Sequence, residues 1–395
     1  EVIFNENRRW AAGLENKISP SVDFSNFSLN PNKKIKIGYY SKEFYSHVTS
    51  FFFETLLRYH NRDLFEIYCY SDCVAPDEVT AAFEQRSDFW RTVAGLEPHQ
   101  IAEQIRSDHI DLFVGTTNFL PSNRIVSAYQ PAPIIVSYMN QVSSTGLSNV
   151  DYLITDHDIS PVEIADHFFV EELIRLSNFI CYFPPNLEVE VKPAPAIKNG
   201  YVTFGCFNNL AKLNQTVIST WSEILLSLPN SRIMLVAGGF HDKTMCARFL
   251  KLFADCGINQ ERIEIVSTIL GREKYLEQYN LIDIALDPFP FTGGTVTDEA
   301  IYMSVPMVTL GGNFEMGRMG LSKLSSLNLH HLIAQNTEDY CRIAIQLASD
   351  IGQIQEHKTQ IRPHALGTIF NGAEHVKELE QAFRQIWQSY CSRNN

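Results

Sequence analysis

No apolar run in the sequence approaches the roughly 18 residues that a membrane-spanning helix requires, and none of the first seventeen residues, "EVIFNENRRWAAGLENK", shows the basic-then-apolar order of a secretory signal. The chain opens on Glu1 rather than Met, so an upstream segment is expected. Basic residues are in deficit: 32 Lys and Arg face 45 Asp and Glu, a net charge of −13. Such a surface repels nucleic acid and anionic lipid but leaves room for a small anion held by local donors. The cysteines at 69, 73, 181, 206, 246, 256, 341 and 391 form no CxxC, and no histidine cluster follows at zinc spacing. That excludes a zinc-ribbon type of site and fits reduced thiols in a cytoplasmic protein. Also missing are an internal repeat of about 20–50 residues, any low-complexity tract, and a GxGxxG after a strand; "VAGGFHD" only imitates one.

What remains is a globular composition, 45% apolar and 19% charged over 395 residues, long enough for two domains. Residues 1–33 read as a helical lead and a polar coil. From 34 to 182, strand-like runs ("KIKIGYY", "FEIYCY", "IDLFVG", "APIIVSYM", "VDYLIT", "ELIRL") alternate with helical ones ("SFFFETLLRYH", "VTAAFEQR", "HQIAEQIRSD"). That alternation predicts a parallel sheet covered on both faces. The proline-rich stretch 183–200 reads as a linker. The alternation then restarts over 201–365, and Val217, Trp221, Ile224, Leu225 and Leu228 share one helical face. An amphipathic tail, 366–395, is expected to pack across the two domains. The fold class is therefore α/β, with two doubly wound, Rossmann-like halves facing a cleft. Dehydrogenase-like pairs and glycosyltransferases of the GT-B type both have this architecture.

Three segments at predicted carboxyl ends of strands carry candidate chemistry. In "DPFPFTGGTVTDEA", Gly293 and Gly294 let a ligand approach the backbone, and the start of the following helix offers unpaired N–H groups to phosphate. Thr295 and Thr297 add hydroxyls, and Glu299 is placed to accept from a ribose. The same residues also read as an ordinary cap, with Thr295 capping and the acids favouring the helix dipole. In "FGCFNNLAKLN", Lys212 either sets an ammonium on a diphosphate or is a solvated loop lysine. In "GYYSKEFYSHVTSFFFE", His47 is either an acid/base group or a capping or packing histidine.

The blocks "KIKIGYYSKEFYSHVTSFF", "PAPIIVSYMNQVSSTGLSNVDYLITD", "VEELIRLSNFICYFPP", "NGYVTFGCFNNLAKLN" and "DIALDPFPFTGGTVTDEAIYMSVPMVTL" follow in this order. Together with the tail they resemble the catalytic region of glycosyltransferase family 41, which includes the O-linked N-acetylglucosamine transferases and the SPINDLY-type O-fucosyltransferases. The resemblance runs from about Lys34 to Trp387. It implies a GT-B fold and inverting transfer of a sugar from a nucleotide-sugar to Ser or Thr of a protein, with no metal and no cofactor. It also implies tetratricopeptide repeats upstream.

By position, the resemblance puts Lys212 on the leaving diphosphate, with Asn209 beside it. Gly293, Gly294 and Thr295 fall on the phosphates, with Val296 where many relatives add a threonine. Glu299 falls on the ribose. Ile269, Leu270, Arg272 and Tyr275 fall at the base, and His47 on the acceptor side. The loop holding Asn140, Thr145 and Gly146 falls on the sugar side. The chain departs from many relatives in these segments: "TGGTVTDEA" stands for "NGTTTTCEA", "NQVSSTG" for "GYPGTSG", and Tyr275 for a stacking histidine. The expected donor is a UDP-sugar, first N-acetylglucosamine. GDP-fucose transfer and a non-catalytic nucleotide-sugar-binding scaffold are the alternatives.

Overall fold

The structure is a computed structural model. It describes residues 1–18, 22–116, 121–139, 143–184, 189–267, 269 and 271–394. The chain divides into two compact units, Glu1–Phe183 with Asn371–Asn395, and Pro184–Phe370.

Unit 1 is built on strands β1 (Ile35–Ser41), β2 (Phe65–Ser71), β3 (Phe89–Thr92), β4 (Leu112–Gly115), β5 (Ile134–Ser137), β6 (Tyr152–Asp156) and β7 (Glu172–Leu176). All neighbours pair in parallel, in the order β3-β2-β1-β4-β5-β6-β7. Strands β4, β5 and β6 are buried along their whole length, because helices cover both faces of a parallel sheet. Edge strand β3 escapes the sequence reading. Its residues Phe89 to Thr92 are exposed or half-buried, so no apolar run marks it.

The helix Val2–Glu15 is part of this unit rather than a detached lead. Asn7 Nδ2 donates to Ser143 Oγ (3.1 Å) and to the Ser144 carbonyl (2.9 Å), and Arg8 donates to the Gly146 carbonyl. The tail helix Gly372–Asn394 also groups with unit 1 from Asn371 onward. It buries Val376, Leu379, Phe383 and Trp387 completely, and the Trp387 indole donates to the Asn30 carbonyl at 3.0 Å. Gly372 lies so close to Tyr59 that an added Cβ would sit 2.5 Å from its ring.

Unit 2 repeats the design with β8 (Thr203–Cys206), β9 (Arg232–Val236), β10 (Ile263–Val266), β11 (Ile284–Leu286), β12 (Met307–Leu310) and β13 (Ile333–Ala334). Their order is β10-β9-β8-β11-β12-β13, again all parallel. On the helix Gln215–Ser227, Val217, Trp221, Ile224 and Leu225 are buried as the spacing requires, while Leu228 caps its end half-buried. The stretch read as linker contains a short helix, Pro195–Asn199, whose Ala196 N–H donates to Asp283 Oδ1 at 2.9 Å. The helix Ile351–Gly367 has no counterpart in the sequence reading. Pro363 lies inside it, and its apolar residues do not keep one stripe. Arg362 N–H donates to Ser304 Oγ instead, at 2.9 Å.

In each sheet the strand order reverses once, beside β1 and β4 in unit 1 and beside β8 and β11 in unit 2. Ligands of doubly wound sheets bind outside the carboxyl ends at such a point. His47 follows β1, Lys212 follows β8 and Gly293 follows β11.

Gly146 has φ +79°, and a Cβ there would lie 2.5 Å from the Asn7 carbonyl oxygen. Replacing it by Ala forces a left-handed non-glycine backbone, about 1–3 kcal/mol, and pushes the N-terminal helix off its seat. Thermal unfolding should show a lowered Tm for Gly146→Ala; an unchanged Tm would contradict this account of the contact.

Candidate active site

In unit 2 the chain leaves β11 at Asp287 and re-enters a helix at Thr295–Tyr302. The turn between them is fixed from within. Asp287 Oδ1 accepts the Gly293 N–H at 2.7 Å, and its Oδ2 accepts the Thr309 hydroxyl at 2.7 Å. Its backbone carbonyl accepts the Tyr340 hydroxyl at 3.0 Å. Gly293 is required here, since a Cβ would meet Thr297 Oγ1 at 2.5 Å and Asp287 Oδ1 at 3.1 Å.

The helix then starts on Gly294, whose carbonyl takes the N–H groups of Thr297 (2.9 Å) and Asp298 (3.3 Å). Thr295 is the first helical residue and not its cap; among the described residues no side chain caps this end. The N–H groups of Gly294, Thr295 and Val296 have no partner among the described residues, and all three residues are half-buried and reachable. They form a concentration of positive partial charge suited to an anion.

Lys212 is brought to this turn. Its Nζ donates to the Thr292 carbonyl at 2.6 Å and to Asn208 Oδ1 at 3.3 Å, and it lies 4.3 Å from the centre of the Phe291 ring. It is therefore not a loosely solvated loop lysine. Burial lowers its pKa, and the nearby Asp287 carboxylate opposes that. Asn209 is exposed and its side chain accepts the Ala211 N–H at 3.0 Å, so it caps the short turn that carries Lys212.

A pocket of about 520 Å³ opens at the ends of β8, β9 and β10. Its walls include Phe207, Asn209, Gly239, Ile269 and Tyr275. Phe207 stacks on Tyr279 at 4.0 Å, and Tyr275 meets both rings edge-on. Leu270 lies outside the described residues.

Glu299 takes a different position from the one its spacing suggested. It is 2% exposed. Its Oε2 accepts the hydroxyls of Tyr275 (3.0 Å) and Tyr279 (3.1 Å), and its Oε1 pairs with Arg272 at 2.5 Å. Burial raises its pKa, against the guanidinium and the hydroxyls, which lower it. Glu299 thus ties the helix Thr295–Tyr302 to the aromatic wall of the pocket, and Arg272 serves the carboxylate. Val296 contributes its carbonyl to the Tyr279 hydroxyl at 3.4 Å.

In unit 1, His47 lies between β1 and the helix Ser50–Tyr59, about one-third exposed. Its Nδ1 is 3.0 Å from Thr49 Oγ1, which in turn donates to Glu43 Oε2 at 2.7 Å. Thr145 and Gly146 do not present polar groups to a cleft. Thr145 is fully buried, with its N–H on Glu171 Oε1 at 2.6 Å and its hydroxyl on the same oxygen. They anchor the turn that seats the N-terminal helix. Asn140 lies outside the described residues.

Sequence reasoning missed Asp287, Phe207, Asn208 and Tyr279 as site residues. An acid directly at a strand's carboxyl end, six residues before a glycine, was a usable signal for the first. The aromatic residues looked like ordinary core.

Comparison with known proteins agrees with the sequence resemblance. The family model described as Glycosyl transferase family 41 matches residues 16–183 and 183–379. The probable UDP-N-acetylglucosamine–peptide N-acetylglucosaminyltransferase SPINDLY of Petunia hybrida is 35% identical over 371 residues, 92% of this chain and 40% of that protein. The like-named protein of Arabidopsis thaliana is 34% identical over 396 residues, 98% of this chain and 43% of that one. The chain thus spans about two fifths of the length of these curated relatives. Among solved structures, a lysine-to-methionine mutant of Thermobaculum terrenum O-GlcNAc transferase superposes with a TM-score of 0.93 at 32% identity, covering 99% of this chain and 75% of that one. Anabaena HepE in complex with UDP and glucose shares the fold alone, with a TM-score of 0.54 at 12% identity over 88% of this chain and 100% of that one. The two Rossmann-like units are of the GT-B type.

Burial pushes the Asp287 carboxyl up from its ordinary 3.8 to about 6. The folded state therefore holds this proton more tightly than the unfolded one. The stability so gained is complete below about pH 4 and is lost as pH rises through 6. The difference in unfolding free energy between the wild type and Asp287→Asn should be largest at pH 4 and shrink towards pH 7, by on the order of 3 kcal/mol. Denaturant titrations at the two pH values check this; a difference that grows with pH would contradict it.

Proposed function

The chain belongs to glycosyl transferase family 41, and from that premise we propose that it is an inverting, metal-independent enzyme moving a sugar from a UDP-sugar to Ser or Thr of a protein. N-acetylglucosamine is the first candidate sugar, after the names of its relatives. The observation that carries the reading is the helix start at Gly294–Val296, whose N–H groups have no partner among the described residues, with the Lys212 ammonium held against the same turn.

In this reading the N–H groups take the donor's phosphates. Lys212 stabilises the charge that grows on the diphosphate as the sugar leaves, and it does so in a partly desolvated setting where such contacts are strong. The pocket beside Phe207 and Tyr275 takes the base, with an aromatic face available for stacking. Glu299 already receives Arg272, Tyr275 and Tyr279, which leaves one acceptor direction for a ribose hydroxyl. Its main task is to hold the aromatic wall. His47, in unit 1, serves the acceptor hydroxyl.

We place the protein in the cytoplasm, acting without a membrane or nucleic-acid partner. Its cysteines are free, and among the described residues no helix is long and apolar enough to cross a membrane. Upstream tetratricopeptide repeats would supply acceptor recognition. The likeness to SPINDLY proteins keeps GDP-fucose as the second donor reading, and loss of transfer altogether would leave a nucleotide-sugar-binding scaffold.

Lys212→Ala should lower transfer from UDP-N-acetylglucosamine to a Ser/Thr peptide by about 10²–10³, while the unfolding transition stays in place. Unchanged turnover would sink the assignment of Lys212. Transfer from GDP-fucose and not from the UDP-sugar would replace the donor. Wild-type transfer should survive EDTA; complete loss would contradict a metal-independent reaction.

A further inference from the structure

We propose that Glu43, acting through Thr49, is a positioning residue that fixes the proton of His47 on Nδ1 and leaves Nε2 open to take a proton from the acceptor hydroxyl. The proposal rests on the transferase reading above.

Thr49 stands at the N-cap of the helix Ser50–Tyr59, yet its hydroxyl makes no capping bond to that helix. A threonine in this place ordinarily accepts from the second or third helical N–H. Here it bridges two other side chains, 2.7 Å from Glu43 Oε2 and 3.0 Å from His47 Nδ1. The hydroxyl has a single proton. The shorter, charge-assisted bond to the carboxylate takes it. The threonine oxygen is then an acceptor towards His47, and Nδ1 must be the N–H that donates. The Thr49 backbone N–H also approaches Nδ1, at a longer 3.4 Å, and is the weaker of the two contacts.

Glu43 Oε2 itself lies 3.6 Å from Nδ1 and adds a direct attraction for an imidazolium. Glu43 and Thr49 are buried, at 9% and 3% exposure, while the His47 side chain keeps 34%. Nε2 has no hydrogen-bond partner among the described residues. The carboxylate end of the relay therefore lies inside the unit and the basic nitrogen at its surface. The other charged or titratable groups facing this turn are Tyr45, whose ring is 5.6 Å from that of His47, and Asp77, which accepts the Ser46 N–H at 2.8 Å. Lys42 is turned to Asp72 at 3.1 Å.

In the transfer step, the acceptor O–H bond breaks as its oxygen bonds to the anomeric carbon. The proton passes to His47 Nε2. The bond from the anomeric carbon to the diphosphate breaks, and its electron pair leaves with the diphosphate. Glu43 takes no part in the bond changes; its Oε2 lies 3.6 Å from Nδ1, beside the imidazolium that forms.

The test reads the tautomer directly in the full chain. Nitrogen-15 labelled histidine side chains, with His47 identified by the signal lost in His47→Asn, should show Nδ1–H in the wild type. Thr49→Val should shift it towards Nε2–H, and Thr49→Ser should restore it. In transfer assays Glu43→Gln should lower kcat by roughly tenfold to a hundredfold and leave the KM for the donor little changed. An Nε2–H wild type, or a Glu43→Gln variant with unchanged kcat, would overturn the proposal. If the wild type transfers no sugar from any donor, the transferase reading fails on its own, and the tautomer spectra still decide the relay.

Discussion

Two hydrogen bonds to one buried carboxylate shape the candidate donor site. Asp287 takes the Gly293 N–H with one oxygen and the Thr309 hydroxyl with the other. Because the first bond holds the chain back against the end of β11, the next residues turn outward and the helix Thr295–Tyr302 begins without a side-chain cap. Its first N–H groups then remain available. The Thr292 carbonyl, in the same turn, receives Lys212. A carboxylate in an apolar interior is unfavourable unless its lone pairs are filled. Here two of them are taken by the very groups that define the turn, which offsets part of that cost.

A second buried carboxylate does the corresponding work for the pocket. Glu299 lies on the helix that begins at the Asp287 turn, and it gathers Arg272, Tyr275 and Tyr279. The helix start at Gly294 and the aromatic wall of the pocket are thereby tied together. The phenol at 275 gives the pocket a flat ring and a hydroxyl that the carboxylate holds.

Much of this was legible in the sequence, and the failures have physical causes. Parallel strands buried on both faces read as apolar runs, so β1, β4, β5, β8 and β11 were visible. Edge strand β3 was not, because half of its surface faces water. The helix Ile351–Gly367 hid behind Pro363. At the site, glycines and a lysine after strands pointed to Gly293, Gly294 and Lys212. Side-chain partners were beyond reach of spacing. Glu299 looked like a free acceptor one turn into a helix, yet Arg272 and two tyrosines from another segment take three of its acceptor directions. Thr145 and Gly146 looked like lining of a cleft, yet Glu171 and the helix Val2–Glu15 claim them. His47 was found from its place after β1, but Glu43 and Thr49 come into the account only through their distances.

The central claim is that unit 2 is a uridine-diphosphate site made of a helix start, a lysine and an aromatic pocket. Calorimetric titration of the protein with UDP and with GDP tests it most directly, with thermal shifts as a function of ligand concentration alongside. The account predicts saturable UDP binding and a melting temperature that rises with the logarithm of UDP concentration, both weakened in Lys212→Ala. A protein that takes up neither nucleotide, or that binds UDP equally well without Lys212, would contradict it.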